Sequence, residues 1–336
     1  MLAQEKHAAL PTPGALAAPK AFREDAGPSE SLSAWMQRWV LGTAYALHPS
    51  RIADCPSLIA HTLADMARGG TRVPDPGRTW ARPDTFAGVC RDISPETFLA
   101  AVRLGFFPWS HCGPLKWWTR KKRMVLFLGE HKLEKRTLRE MRKNAYTVTF
   151  DTAFGEVMRA CAGPRSYNWH ALTWITPLMQ RLYAGLHRLN HAHSFEIWNA
   201  EGRLVGGGFG ISVGRIFLSD SLFSRERDVS KMASAALYFH LAKWGYVLCD
   251  GRDFTPMMDA MGFREITRAE YEALLAEHAH AGGHPLPWTV EADLATVAAW
   301  VTGLKHTGNA VETTKTRREP DVRMPQKTAG DATRPA

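Results

Sequence analysis

Two acidic residues sit near the ends of short apolar runs: Asp220 in RIFLSDS (215–221) and Asp250 closing YVLCD (246–250). Both runs read as strands, and a carboxylate at the carboxyl end of a central strand lies where ligands bind in open α/β sheets. A helix cap or a surface ion pair is the competing use of either acid. A second group of residues suits a different chemistry. Phe106, Phe107, Trp109, Trp117 and Trp118 fall in GFFPWSHCGPLKWWTRKKR (105–123), which runs into a basic block. From Lys116 to Lys143 there are eleven Lys and Arg against three Glu, a surplus of eight in a chain whose net charge is +9. The charge is therefore local. Aromatic rings stack on unpaired bases, each stack contributing about 1–3 kcal/mol, and cations follow phosphates. Side by side, they favour a single-stranded nucleic-acid end attached to a duplex. A solvated helix face and core packing of Trp117 and Trp118 are the plainer alternatives. His187, His191 and His193 have no carboxylate or Cys nearby to complete a ligand set, so no metal is expected.

These groups must be held by elements that the sequence punctuates. Residues 31–48 and 57–68 read as two helices, and no chemistry is apparent there. Ser94-Pro95 starts a helix that Gly105 stops, since Ser caps and Pro tolerates the first turn. The aromatic segment then falls on a loop or short turn. Residues 132–144 read as a basic helix and 146–150 as a strand. Asp151 is a candidate cap for a helix carrying Phe154, Val157, Met158 and Cys161 at helical spacing. Thr176-Pro177 starts another helix. From 194 to 266 the order is β-β-β-α-β-α-β, with Ser230 capping the main helix and Thr255-Pro256 opening the short one. That order predicts a mixed sheet covered by helices, an α/β or α+β domain. A last helix from about Ala292 to Leu304 is expected.

The chain has 336 residues, with room for one large or two medium domains and tails. Residues 1–30, rich in Ala and Pro, and the basic stretch 305–336 read as disordered tails. The positive balance points to a polyanion, either nucleic acid or an anionic membrane face. The five cysteines form no C-x-x-C pair, which fits a reduced compartment. There is no signal-peptide run and no membrane-length apolar stretch, so a cytoplasmic protein is expected. P-loop, G-x-S-x-G and H-E-x-x-H motifs are absent. Gly206-Gly207-Gly208 leads into more strand, which excludes a dinucleotide fingerprint.

The ordered short motifs carry a resemblance. DISPETFLAAVRLGFFPW (92–109), WW (117–118), VTFDTAF (148–154), TWIT (173–176), HRLNHAHSFEIW (187–198), LVGGGFG (204–210), SLFSR (221–225), SK (230–231) and CD (249–250) follow one another as in leucyl/phenylalanyl-tRNA–protein transferases. The chain resembles that family from about Phe86 to Tyr271. The resemblance implies a small N-terminal domain, here 31–122, and a GNAT-like acyltransferase domain, here 123–290. It implies transfer of an amino acid from aminoacyl-tRNA to the α-amine of a protein beginning with Lys or Arg, producing a degradation signal. No cofactor or metal is implied, because the donor ester is already activated, and a monomer is expected. Trp109 and Trp174 correspond to the tryptophans that hold the terminal adenosine. Lys121, Lys122, Arg123, Lys135, Arg136, Arg139 and Arg142 would lie on the acceptor stem. Asp250 corresponds to the catalytic carboxylate, able to orient the amine and offset its developing charge.

The chain also departs from the family. Arg252 stands where the family has a catalytic Gln, and Arg cannot accept a hydrogen bond. Ser219-Asp220-Ser221 replaces G-E-S, keeping the charge on a side chain one methylene shorter. TRKKR (119–123) replaces S-P-D-P-R. Gly208, Phe209, Ser234, Leu237, Leu241 and Cys249 are the expected lining of the side-chain pocket. Gly208 replaces a frequent Met, while Ser234, Leu237 and Leu241 stand where Leu and Phe are frequent, so an enlarged or reshaped pocket is expected. An added cation at Arg252 would repel basic acceptors and favour an acidic terminus or a small amine carrying a carboxylate. Two other functions are compatible: a catalytically weakened binder of aminoacyl-tRNA, and an acyl-coenzyme A-dependent acyltransferase. The second needs a pyrophosphate-cradling loop, and SRERDVSK (224–231) lacks the glycines.

Overall fold

The computed structural model describes residues 31–49, 52–77, 79, 85–110, 113–163, 172–284 and 287–312. The tail expected at 1–30 and most of that at 305–336 lie outside the described residues. Two N-terminal helices, α1 (Leu32–Ala46) and α2 (Cys55–Ala67), precede strand β1 (Phe86–Val89), helix α3 (Pro95–Arg103) and strands β2 (Phe107–Trp109) and β3 (Lys116–Trp118). Then come β4 (Lys122–Phe127), α4 (Lys135–Arg142), β5 (Thr147–Phe150), α5 (Phe154–Ala162) and α6 (Pro177–Arg188). The expected β-β-β-α-β-α-β run follows as β6 (Ala192–Trp198), β7 (Leu204–Val213), β8 (Ile216–Ser224), α7 (Val229–Lys243), β9 (Leu248–Arg252), α8 (Pro256–Ala260) and β10 (Arg264–Thr267). Helices α9 (Arg268–His278) and α10 (Leu294–Glu312) complete the described residues, α10 running past Leu304.

The helix starts follow local chemistry. The side chains of Ser94, Thr176 and Thr255 each accept a backbone N–H of the first turn, and each is followed by Pro. Two expected caps are corrected. Asp228, not Ser230, precedes α7. Asp151 does not cap α5; it accepts the Ser194 N–H at 2.9 Å instead. The aromatic segment is not a loop either. Its ends are β2 and β3, which pair with β1 in a three-stranded antiparallel sheet of order β1-β3-β2. Phe106, Phe107 and Trp117 are buried there, while Trp109 and Trp118 are half-buried.

The large sheet has seven strands in the order β10-β4-β9-β8-β7-β6-β5, antiparallel except for β8 with β9. That parallel pairing covers only Ile216–Leu218 against Leu248–Asp250, after which β8 continues to Ser224 paired with β7 alone. Alternation along the strands divides the residues between two cores. One face carries Phe195, Phe217 and Cys249 under α4, α7 and α10; the other carries Val125, Phe209, Leu218 and Leu248 under α3, α5, α6 and α9. This is a mixed α/β architecture. No helix among the described residues is long and apolar enough to cross a membrane.

Candidate active site

Asp220 follows Ile216 and Leu218 by alternation, and Asp250 follows Leu248, so both acids lie on the α5–α6 face of adjacent strands. A bulge puts them in contact with one residue. In β9, Asp250 pairs with Val125 and Arg252 with Met124, leaving Gly251 as the extra residue. The Arg252 N–H turns back to Asp250 Oδ1 at 2.7 Å, an Asx-type turn that holds Arg252 at φ 68°. Its guanidinium donates to Asp220 Oδ1 at 2.6 Å. The second oxygen of each acid is also engaged. The Tyr183 hydroxyl donates to Asp220 Oδ2 at 2.8 Å, and the Tyr271 hydroxyl to Asp250 Oδ2 at 2.7 Å.

Arg123 completes the group, and its position corrects an expectation. It is 1% exposed, with Nη1 3.3 Å from Asp250 Oδ2 and Nη2 donating to the Gly105 carbonyl at 2.7 Å. A cation so enclosed cannot lie along an RNA stem. Alternation in β4 turns it inward, and Gly105, at φ 83°, supplies the carbonyl from the turn after α3. Arg120 reaches Asp253 through two nitrogens, at 2.5 and 3.2 Å. Arg252, Arg120 and Arg123 surround the Phe107 ring, at 4.4, 4.9 and 5.4 Å from its centroid. Three guanidiniums thus meet three carboxylates. Arg252 adds no unbalanced cation, so the electrostatic argument against basic acceptors loses its premise.

Burial lifts the Asp220 carboxyl above its ordinary value, and Arg252 and Tyr183 draw it only part of the way back. Burial also works against the Arg252 cation, but Asp220, Tyr183 and Asp250 outweigh it and keep the guanidinium charged. Burial, then the adjacent acid, pushes the Tyr183 and Tyr271 hydroxyls well up, so both remain donors. Burial acts to raise Asp253 as well, but Arg120, Arg252 and Arg123 together lower it.

Trp109 and Trp174, 65 positions apart, meet in one cleft of about 350 Å³, with Arg38, Leu115, Met179 and Arg181 also on its wall. One contact path joins this cleft to the acids, and one strand runs from it to Arg252. Trp174 packs against Tyr183, 5.9 Å between centroids, and Tyr183 bonds Asp220. Trp109 lies two residues from Phe107, whose ring underlies Arg252.

The expected side-chain pocket residues are not gathered in this way. Phe209 packs on the acid-bearing face, 5.2 Å from Tyr183 and 6.2 Å from Trp174. Leu237, Leu241 and Cys249 are fully buried in the opposite core, and Ser234 is buried on the same helix α7. Burial pushes the Cys249 thiol up, so it is inert. Gly208 opens no space: a Cβ there would sit 2.5 Å from Leu222 Cδ2 and 2.7 Å from Phe195 Cζ. Neighbours have filled the volume that the sequence suggested was vacated.

The remaining basic residues are dispersed. Lys121 and Lys122 are exposed, Lys122 pairing with Glu265 at 3.1 Å. Helix α4 buries Leu138 and Met141 against α7 and α10, which places Lys135, Arg136, Arg139 and Arg142 on the far side of the sheet from the cleft. Arg136 pairs with Asp228, and Arg142 donates to Thr302 at 3.2 Å. Among the described residues no three His, Cys, Asp or Glu side chains gather as a metal set would.

The family model for leucyl/phenylalanyl-tRNA protein transferase matches residues 125–276, the span from β4 through most of α9. The leucyl/phenylalanyl-tRNA–protein transferase of Stutzerimonas stutzeri (strain A1501) is 44% identical over 58% of this chain and 86% of its own. That of Syntrophobacter fumaroxidans (strain DSM 10017 / MPOB) is 42% identical over 63% of this chain and 90% of its own. That of Hydrogenovibrio crunogenus (strain DSM 25203 / XCL-2) is 37% identical over 63% and 82%. The chain belongs to this family. Within a leucyl/phenylalanyl-tRNA–protein transferase framework, sequence reasoning missed Tyr183, Tyr271, Arg38 and Arg181. Arg181 and Tyr183 lie on the helix that Thr176-Pro177 opens, and Thr267 and Glu270 form a capping box that marks α9 and hence the inward-facing Tyr271.

Proposed function

We propose that this protein transfers an amino acid from the 3′ end of an aminoacyl-tRNA to the α-amine of a protein acceptor. The observation that carries the reading is the single cleft shared by Trp109 and Trp174, linked by contact through Tyr183 to Asp220, which pairs with Arg252. Two indoles facing one cleft suit an unpaired base, and the volume falls in the usual range for a small-ligand site. In the reaction the acceptor nitrogen bonds the ester carbonyl carbon, the bond to the ribose 3′-oxygen breaks, and the proton lost by the amine ends on that oxygen. Atoms balance with no cofactor.

Holding amine and ester within about 3–3.5 Å contributes much of the acceleration. Asp250 keeps a positioning role, because both its oxygens are engaged: through the Arg252 N–H it fixes the backbone of the residue that pairs with Asp220. Arg252 cannot relay a proton; its role is electrostatic, a fixed positive charge beside Asp220 near the point where negative charge develops on the carbonyl oxygen. The parallel β8–β9 pair that parts beyond Leu218 and Asp250 supports a GNAT-like acyltransferase fold. An acyl-coenzyme A donor is disfavoured, because Asp228 occupies the start of α7, where a pyrophosphate would have to sit.

The test is to incubate purified protein with labelled aminoacyl-tRNAs and peptides beginning with Lys or Arg. Transfer of label is expected. Trp109→Ala with Trp174→Ala should weaken tRNA binding by at least tenfold. Unchanged affinity in that double variant would overturn the reading. A second reading, a tRNA-end binder with weakened chemistry, is favoured by the burial of Asp250, whose side chain is 1% exposed. Asp250→Asn separates the two. Under transfer it cuts turnover at least about a hundredfold with affinity unchanged; under binding alone neither quantity moves.

A further inference from the structure

Helix α1 precedes the segment that resembles the family, yet it reaches the cleft. Its inward stripe is Arg38, Leu41, Gly42 and Tyr45, at the i, i+3, i+4, i+7 spacing of one helix face. Gly42 is the buried residue of the helix, marking where α1 meets the body. Tyr45 packs edge-on against Trp109, 6.2 Å between centroids. Trp39 comes within about 4.0 Å of the space beside Gly113, a residue of the cleft wall. Arg38 itself lines the cleft, as does Arg181 from α6. The basic helix α4, by contrast, packs on the opposite face of the sheet. The guanidiniums of the active site are committed to carboxylates, and Arg123 is buried.

We propose that α1 is a built-in wall of the site for the single-stranded 3′ end of tRNA: Tyr45 braces Trp109, and Arg38 and Arg181 hold the phosphates next to the terminal base. This inference rests on the transferase reading above. The two arginines supply, at the indoles, the charge that α4 cannot bring there. An unpaired nucleotide has both a flat base and an anionic linker, and the cleft offers rings and cations to match. Recognition of this kind ignores tRNA sequence, as phosphate contacts do.

The experiment compares binding of a tRNA with its complete 3′ end and the same tRNA trimmed of its unpaired 3′ nucleotides. The proteins are wild type, Arg38→Ala, Arg38→Glu, Arg181→Ala and Trp109→Ala. Arg38→Ala and Arg181→Ala should each weaken binding of intact tRNA about tenfold. Each should also lower the salt dependence of log K by about 0.7, the single-strand value. Arg38→Glu should weaken binding further, and none of these arginine variants should alter binding of trimmed tRNA. If Arg38→Ala and Arg38→Glu bind intact tRNA like wild type while Trp109→Ala does not, α1 has no such role and the transferase reading stands. An equal loss on intact and trimmed tRNA also overturns the inference, because it reports a diffuse field rather than a cleft. If Trp109→Ala has no effect either, the reading beneath the inference falls with it.

Discussion

The two faces of the seven-stranded sheet are built to different rules. Beneath α7 and α10 the strands present Phe150, Phe195, Phe217 and Cys249 to Leu237, Leu241, Val297 and Val301, an apolar core. Beneath α5, α6 and α9 the same strands bury Arg123, Glu196, Asp220 and Asp250, each with hydrogen-bond or ion-pair partners. The first face gains stability from area removed from water. The second gives some of that up: ionised groups are costly to desolvate and persist only when paired. A fold that buries three ion-paired groups and a hydrogen-bonded carboxyl on one side and packs apolar residues on the other has placed its chemistry on the side that costs more. The cleft of Trp109 and Trp174 opens on that same side.

The sharpest way to break this contrast is to remove one buried charge. Arg123→Met leaves Asp250 enclosed with Tyr271 and the Arg252 N–H but without its cation. The expected loss is about 3–5 kcal/mol of folding stability, read by denaturant titration. An exposed stem contact would change stability by no more than about 0.5 kcal/mol, so a small effect would restore the RNA-facing role expected from the sequence. Leu294→Ala, in the apolar core under α10, is the matching control. It should cost about 2–5 kcal/mol while leaving the turnover of folded molecules unchanged.

Arg123 also shows where sequence reading stops. Three helix starts were legible because caps are local: Ser94, Thr176 and Thr255 each accept from the residue three positions on. The β-β-β-α-β-α-β order was legible because strand and helix periods differ. The strands of KWW and KRMVLF were not. A three-residue strand has no period to read, and charges at the start of β4 imitate a solvated run. The pairing of Arg123 with Asp250 joins residues 127 positions apart, and only the sheet order brings them together. The same holds for Arg252, whose partner Asp220 lies 32 positions away rather than in its own turn.

Glu196 sharpens the contrast through pH. It is buried in β6 and accepts from the Ser194 and Thr149 hydroxyls, both at 2.6 Å, and from the Ala153 N–H at 3.3 Å. Burial lifts its carboxyl from 4.5 to about 7, the three donors offsetting part of the rise. The folded state therefore binds a proton more tightly than the unfolded chain. Stability from this group is full below about pH 4.5 and falls as pH rises through 7. The total is about 3 kcal/mol. Glu196→Gln removes that component, so the stability difference between variant and wild type should change across this window and be flat outside it. A difference with no pH dependence would mean that Glu196 ionises at its ordinary value and that its burial is fully offset by its three donors.

The smallest effect tests the apolar face. At Gly208 a Cβ would lie 2.5 Å from both Leu222 Cδ2 and the Ser221 carbonyl oxygen. Leu222 can turn aside, but the carbonyl belongs to β8, so β7 and β8 would have to part. Gly208→Ala should therefore cost about 1–3 kcal/mol by overpacking, with no change in which amino acid is transferred. Gly208→Met, restoring the side chain frequent in the family, should cost more for the same reason. If instead Gly208→Met folds with wild-type stability and narrows the choice among charged tRNAs, a pocket crosses the sheet at this point. The division between a closed face and a chemical face would then fail on β7, beside the part of β8 that runs on past its pairing with β9.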